Sequence, residues 1–331
     1  MPRTGNDFGI WAIRVHDWLI DQFAIQGRLM IYAMTTRSYV DGAFTRKPGV
    51  TRYLKVEKIG AGYAVQILPL DTWLAEVLAV AGGHGVLLHV HGFNLEQHET
   101  LTRHELIAAG LAQHGFGGVV VSFDWPTNGA LFDYRQDRAD AHTVAPQLVL
   151  DGIAVLRMAA PGISLDIMAH SMGSLVTRHA FHRVVELGKA GAVDISVGQV
   201  LLVAADIAAK SMKIGAKKSA ALYAHADRIT NYYSRADEVL SLSQWYRLFQ
   251  AQRLGFEGMP DSVPPGHADV YVQHYYNAHK HDWPNTPSIS HNWHFLDDQF
   301  YRDAALVLAG HPAATMPTRA PTNEGNQALI G

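Results

Sequence analysis

The chain has 331 residues, enough for one large α/β domain or two small ones, and its 48% hydrophobic and 17% charged residues describe a globular protein with ample core. A net charge of −3 without any long Lys/Arg run gives no general attraction to nucleic acid or to an anionic membrane. The absence of cysteine excludes disulfides, thiolate nucleophiles and cysteine-based zinc sites.

Residues 8–25 are rich in Trp11, Ile13, Val15, Trp18, Leu19, Ile20 and Phe23, but Arg14, His16, Asp17 and Asp21 interrupt them well short of a membrane span. Residues 1–28 therefore read as an amphipathic segment that packs on its own domain or lies on a membrane or a partner. No basic stretch leads into an unbroken apolar core and a cleavage site, so no signal peptide and a cytoplasmic location are expected. Residues 29–35 read as a strand, 36–49 as a loop around Gly42, Pro48 and Gly49, and 63–68 as a second strand. After a glycine-rich break at 81–85, the apolar run 86–90 ends in His91-Gly92-Phe93-Asn94. Residues 95–113 form a helical pattern with Leu101, Leu106, Ile107 and Leu111 on one face. The buried strand 119–123 then ends in Asp124-Trp125-Pro126, and 131–159 carry helical periodicity interrupted by Pro146.

The most informative stretch comes next. Ile163, Leu165, Ile167 and Met168 read as a buried strand running straight into Ala169-His170-Ser171-Met172-Gly173. Leu175, Val176, Ala180, Phe181, Val184 and Leu187 then recur at helical spacing up to Gly188. Strand and helix alternate throughout, which argues a mostly parallel sheet flanked by helices, with ligands at the carboxyl ends of the strands. His91, Trp125 and Ser171 all lie at such ends. A serine on a tight strand-to-helix turn is the nucleophile position of α/β-hydrolases, whose G-x-S-x-G pattern is kept here except for Ala169 in place of the first glycine. In that architecture the loop after the earlier strand supplies one oxyanion N–H and the residue after the serine the other, which points to Phe93 and Met172.

The succession H-G-F-N, S-F-D-W-P-T-N-G, Y-R-Q-D-R-A-D-A and A-H-S-M-G-S resembles an uncharacterised branch of serine α/β-hydrolases, a domain of unknown function, over residues 29–308. That branch has serine directly before the Trp-Pro pair, where this chain has Asp124, a departure bearing on the pocket. Downstream, strand 199–204 ends at Asp206, and strand 229–233 ends in Ser234-Arg235-Ala236-Asp237. A serine nucleophile needs a base of near-neutral pKa, and that base needs a carboxylate to orient it. Both aspartates follow strands; the resemblance carries the acid onto Asp237, with Asp206 as rival. A last strand is expected at 270–275, before a loop holding His274, His279, His281, His291 and His294. The base comes last in the order Ser, Asp, His. Ser290-His291-Asn292-Trp293 matches the family's histidine motif, so the resemblance implies His291, with His294 as the alternative.

His279-x-His281 and His291-x-x-His294 lie in loops without a carboxylate at helical spacing, so no metal site is expected, and no cofactor is implied. Trp125 and Asn94 are expected to contact substrate, and Trp125, Phe93, Trp245 and Tyr246 to form an apolar acyl pocket. A helix at 296–308 closes the hydrolase domain, 29–310, and 311–331 reads as a disordered tail. The expectation is a serine hydrolase cleaving carboxylic esters or lipids through an acyl-serine. An acyltransferase with the same triad, or a non-catalytic binding protein on the same fold, are the alternatives.

Overall fold

The computed structural model describes residues 30–127, 134–189, 191, 194–246, 252–260 and 266–331. The amphipathic segment expected at residues 1–28 lies outside them, as do the side chains of Trp245 and Tyr246. Three antiparallel strands, β1 (Met30–Val40), β2 (Ala43–Ile59) and β3 (Gly62–Leu68), lead into helix α1 (Leu70–Ala81). Residues 36–49, expected as a loop, are thus mostly strand. The chain reverses at Asp41 and Gly42, with φ of 50° and 82°. Two positive φ values give the hairpin turn that matches strand twist, and Asp-Gly takes it readily. Pro48 and Gly49 sit instead where the β1–β2 register shifts, a bulge that accommodates a residue unable to donate to the ladder.

Strand and helix then alternate as β4 (Val86–Val90), α2 (Gln97–Gln113), β5 (Val119–Asp124) and α3 (Tyr134–Gln147). Pro146 removes a backbone donor from the last turns of α3, and the helix widens into a π-helical stretch, Leu148–Ile153, before α4 (Ala154–Ala159). Next come β6 (Leu165–His170), α5 (Gly173–Glu186), β7 (Val197–Val203), α6 (Lys217–His225) and β8 (Ala226–Tyr233). Helices α7 (Glu238–Tyr246) and α8 (Leu254–Glu257) precede β9 (Ala268–Tyr271). The strand expected at 270–275 ends early, and the chain enters α9 (Gln273–His279), α10 (Ile289–Asn292) and α11 (Asp298–Leu308).

Among the described residues the sheet has eleven strands in the order β10-β11-β9-β8-β7-β6-β4-β5-β1-β2-β3, where β10 is Arg319–Pro321 and β11 is Gln327–Leu329. The run from β9 to β1 is parallel at every pairing. Strands β4, β5 and β6 are buried at every position, because helices cover both faces and leave no solvent side to demand polar alternation. Successive residues part to the two faces: Val86, Leu88 and Val90 join the core under α1, α3 and α5, while Leu87 joins the core under α2 and α11.

The expected disordered tail is corrected by the structure. Its two short strands extend the sheet beyond β9, and Met316 and Leu329 are buried in the core. Its anchor is a buried ion pair: Arg319 donates through Nε (2.8 Å) and Nη2 (2.6 Å) to Asp303 of α11, which also accepts from Tyr232 Oη (2.8 Å) and Thr318. Among the described residues no helix is long and apolar enough to cross a membrane.

Candidate active site

Strand β6 delivers the chain to Ser171, whose φ of 53° is left-handed, a conformation costing a non-glycine residue roughly 1–2 kcal/mol. Backbone hydrogen bonds hold it there. Ser171 N donates to Val203 O (2.9 Å), and Ser171 O accepts from Asp206 N (3.0 Å) and Ser174 N (3.1 Å), so the turn is tied to the end of β7. Two glycines bring the end of β4 against this turn. A Cβ on Gly173 would lie 2.2 Å from Val90 O and 2.5 Å from His91 O, and one on Gly92 would lie 2.9 Å from Ser171 Cβ. Only hydrogen fits at either position. Met172, expected with Phe93 to present oxyanion N–H groups, directly precedes α5, where the first backbone N–H groups have no intrahelical partner. Phe93 is half-buried, with its ring edge-on to Tyr134 at 5.6 Å.

The loop carrying Gly92 and Phe93 rests on a buried scaffold. Trp125, expected to contact substrate, is 0% exposed. Its indole stacks on His91 at 5.4 Å and its Nε1–H donates to His91 O (2.8 Å), while Trp125 N donates to His91 Nε2 (3.1 Å). Trp125 is therefore buried against His91 and fixes the loop from below. Asp124 acts at the same level, accepting from Thr35, Arg37 and Gln97. Burial works to raise its pKa, but the Arg37 charge and the His91 contact outweigh it and hold the carboxyl well below the usual range. The carboxylate at this position is thus paired with Arg37, which also donates to Leu95 O (2.9 Å). Sequence reasoning missed Arg37 because it fell in the loop expected at 36–49, whereas the structure places it in β1. Asn94 lies on the same loop, half-buried at φ 63°, and its Oδ1 has no hydrogen-bond partner among the described residues.

Two later loops bring a histidine and an aspartate to this edge. Asp237 follows β8 and is 1% exposed; its Oδ2 lies 2.6 Å from His291 Nδ1, and its Oδ1 accepts Leu240 N–H (2.9 Å). His291 sits in α10, and its carbonyl lies 3.1 Å from Nε2 of His170, the residue before Ser171, with the two rings 4.7 Å apart. The rivals are occupied elsewhere. Asp206 accepts from Tyr134 Oη (2.5 Å) and has Arg253 Nε at 3.1 Å, near enough for ion pairing but not aligned as a hydrogen bond. His294 is buried against Trp293 and Phe300, burial drives its pKa well below the ordinary value, and no carboxylate among the described residues pairs with it. A cleft of about 600 Å³, lined by Arg235, Glu238, Tyr276, Lys280 and Ser290, opens beside Asp237.

A parallel sheet with a left-handed serine between a buried strand and a helix, at the strands' carboxyl edge, defines the α/β-hydrolase class. The chain belongs to the family described as alpha/beta hydrolase of unknown function (DUF900), which it matches over residues 69–263. The uncharacterized protein alr1448 of Nostoc sp. (strain PCC 7120) is 29% identical over 122 residues, which are 30% of this chain and 32% of that protein. The match therefore spans about a third of that relative. Among solved structures, a Trichoderma reesei cutinase bound to a phosphonate inhibitor is similar at 10% identity and a TM-score of 0.31, over 73% of this chain and 87% of that one. An inhibited esterase B from Lactobacillus rhamnosis is similar at 12% identity and a TM-score of 0.35, over 91% and 97%. Overlaps this loose carry nothing about chemistry.

Proposed function

We propose that the protein is a serine hydrolase that cleaves carboxylic esters, lipid esters included, through an acyl-serine intermediate. The observation that carries this reading is the buried 2.6 Å His291–Asp237 pair, held through His170 beside a serine in a left-handed turn. In this mechanism Ser171 Oγ attacks the ester carbonyl carbon while His291 Nε2 takes its proton. Asp237 accepts the Nδ1–H, which fixes the ring's tautomer and balances the imidazolium as it forms. The backbone N–H groups of Phe93 and Met172 receive the negative oxygen of the tetrahedral intermediate. His291 then returns the proton to the departing alcohol, and water repeats the sequence on the acyl-serine. Asn94, with its unpartnered Oδ1 on the Phe93 loop, is the polar group offered to a donor on the substrate.

The test is hydrolysis of p-nitrophenyl esters from acetate to palmitate by the wild type and by Ser171→Ala, with mass spectrometry for an acyl adduct on Ser171. The expected result is a loss of about 10³ or more in the variant, with the adduct on the wild type. Equal turnover in the variant would refute the nucleophile. No turnover and no adduct across the series would refute ester hydrolysis, in favour of a narrow acyltransferase or a binding protein.

A further inference from the structure

We infer that His170 is a positioning residue, a latch that sets the reach of His291 toward Ser171 by donating its Nε2–H to the His291 carbonyl. The inference rests on the reading of His291 as the base. His170 is the last residue of β6, adjacent to Ser171 in the chain and buried, so a side-chain contact made by its ring is referred directly to the nucleophile turn. Burial lowers its pKa well below the ordinary histidine value, which leaves a neutral ring with a single N–H. A carbonyl at 3.1 Å can only accept, so that hydrogen lies on Nε2.

The groups that face His170 agree with a ring that stays uncharged. Arg103 from α2 and His291 and His294 from the base loop all act to lower its pKa, and Phe295 meets the ring edge-on at 5.0 Å. On its other side, Nδ1 lies 3.0 Å from where a Cβ on Gly92 would sit. The imidazole is thus packed between the backbone of the base and the Gly92 loop. Three consecutive residues of the base loop have separate anchors. Ser290 Oγ accepts from Glu238 N (3.1 Å) beside the acid, and Asn292 Oδ1 accepts from Arg103 Nη2 (3.1 Å) on α2. Among the described contacts, His291 is the one of the three tied to the strand that carries the nucleophile. The Asp237 bond orients the ring about its own axis, while the His170 bond fixes the backbone from which the ring projects.

The test compares His170→Phe, which fills the space without a donor, with His170→Gln, whose amide nitrogen can reach the same carbonyl. Each full-length variant is read by ester kcat and KM, by melting temperature, and by the downfield ¹H resonance of the His291 Nδ1–H bonded to Asp237. The Phe variant should lose roughly tenfold in kcat, the scale of one buried carbonyl left unpaired, with KM changed by less than about threefold. Its Nδ1–H resonance should broaden or shift, and Gln should restore both readouts while Phe does not. A Phe variant with wild-type kcat and resonance, or a Gln variant no better than Phe at equal melting temperature, would overturn the latch. If Phe prevents folding, His170→Asn, too short to reach the carbonyl, takes its place. If the wild type hydrolyses no ester, the functional reading fails, and the resonance comparison still decides whether His170 holds His291.

Discussion

Replacing Asp237 by asparagine should abolish nearly all turnover while keeping the shape of the site. The carboxylate has two donors to satisfy, His291 Nδ1–H at 2.6 Å and Leu240 N–H at 2.9 Å, one on each oxygen. Asparagine offers only one oxygen. If its NH₂ faces the ring, the imidazole hydrogen moves to Nε2, and His291 no longer accepts the serine proton. If its oxygen faces the ring, NH₂ opposes the Leu240 N–H, an unpaired buried donor worth about 1–3 kcal/mol, and the imidazolium forms without a counter-charge. With Asp237 only 1% exposed, water cannot substitute. The expected loss in kcat is about 10³ to 10⁴, which at ~1.36 kcal/mol per tenfold is about 4–5.5 kcal/mol of transition-state stabilisation. The assay is steady-state hydrolysis of the best p-nitrophenyl ester from pH 6 to 9, with Asp206→Asn alongside. Asp206 serves Tyr134 and Arg253, so its variant should keep kcat within about tenfold and melt earlier, having left a buried guanidinium less balanced. A kcat for Asp237→Asn within about tenfold of wild type, or a deeper loss in Asp206→Asn, would refute the reasoning.

Three further perturbations test the framework. Gly173→Ala would set a Cβ 2.2 Å from the Val90 carbonyl oxygen, backbone that cannot yield, so at least about 3 kcal/mol of stability should vanish; a variant that is soluble with a wild-type melting curve argues against the packing described. Arg319→Met leaves Asp303, 0% exposed, with the Tyr232 and Thr318 hydroxyls as its hydrogen-bond donors among the described residues, and should cost about 3–5 kcal/mol in urea unfolding; a shift under about 1 kcal/mol would mean that the C-terminal strands are held by other contacts. Burial raises Asp166 to about 6 even though it accepts from Gln199 N (2.6 Å) and Ser164 Oγ. The unfolded chain releases that proton near pH 3.9, so the native state holds more protons in between and stability falls as pH rises from about 4 to about 6. Asp269 and Asp297, also raised to about 6 by burial, act in the same sense. Asp166→Asn should therefore gain on the wild type in melting temperature across that window, and a constant difference from pH 4 to 7 would contradict the sign.

The strands that carry the site were legible in the sequence because burial on both faces writes them as unbroken apolar runs bounded by glycine or polar residues. Strand β2 was not, since it is partly exposed and carries Arg46, Lys47, Arg52 and Lys55, and because its Pro-Gly pair marks a bulge where the nearby Asp41-Gly42 marks the turn. Strands β10 and β11, three residues each, are too short to show a period, and their anchor is a charge pair with a residue on another element. Trp125 shows that an aromatic after a strand end does not declare what it packs against; its stacking partner His91 follows a different strand, β4. The choice between Asp206 and Asp237 could not be made from position, because both follow strands. What separates them in the structure is that Arg253 and Tyr134, distant in the chain, arrive at the first, and His291 arrives at the second.

The anchoring of the C-terminal strands also orders the birth of the molecule in time. A chain emerges from the ribosome amino end first, and its segments fold as they appear. Asp303 emerges before Arg319, and β9 before the β11 strand that covers its edge. Until Arg319 and Leu329 emerge, the nascent chain holds the Asp303 carboxylate without the guanidinium that binds it, and the β9 edge stays open to foreign strands. The interval between the emergence of Asp303 and that of Leu329 is therefore one in which the newborn chain is open to mispairing and in which a chaperone would have an edge to protect.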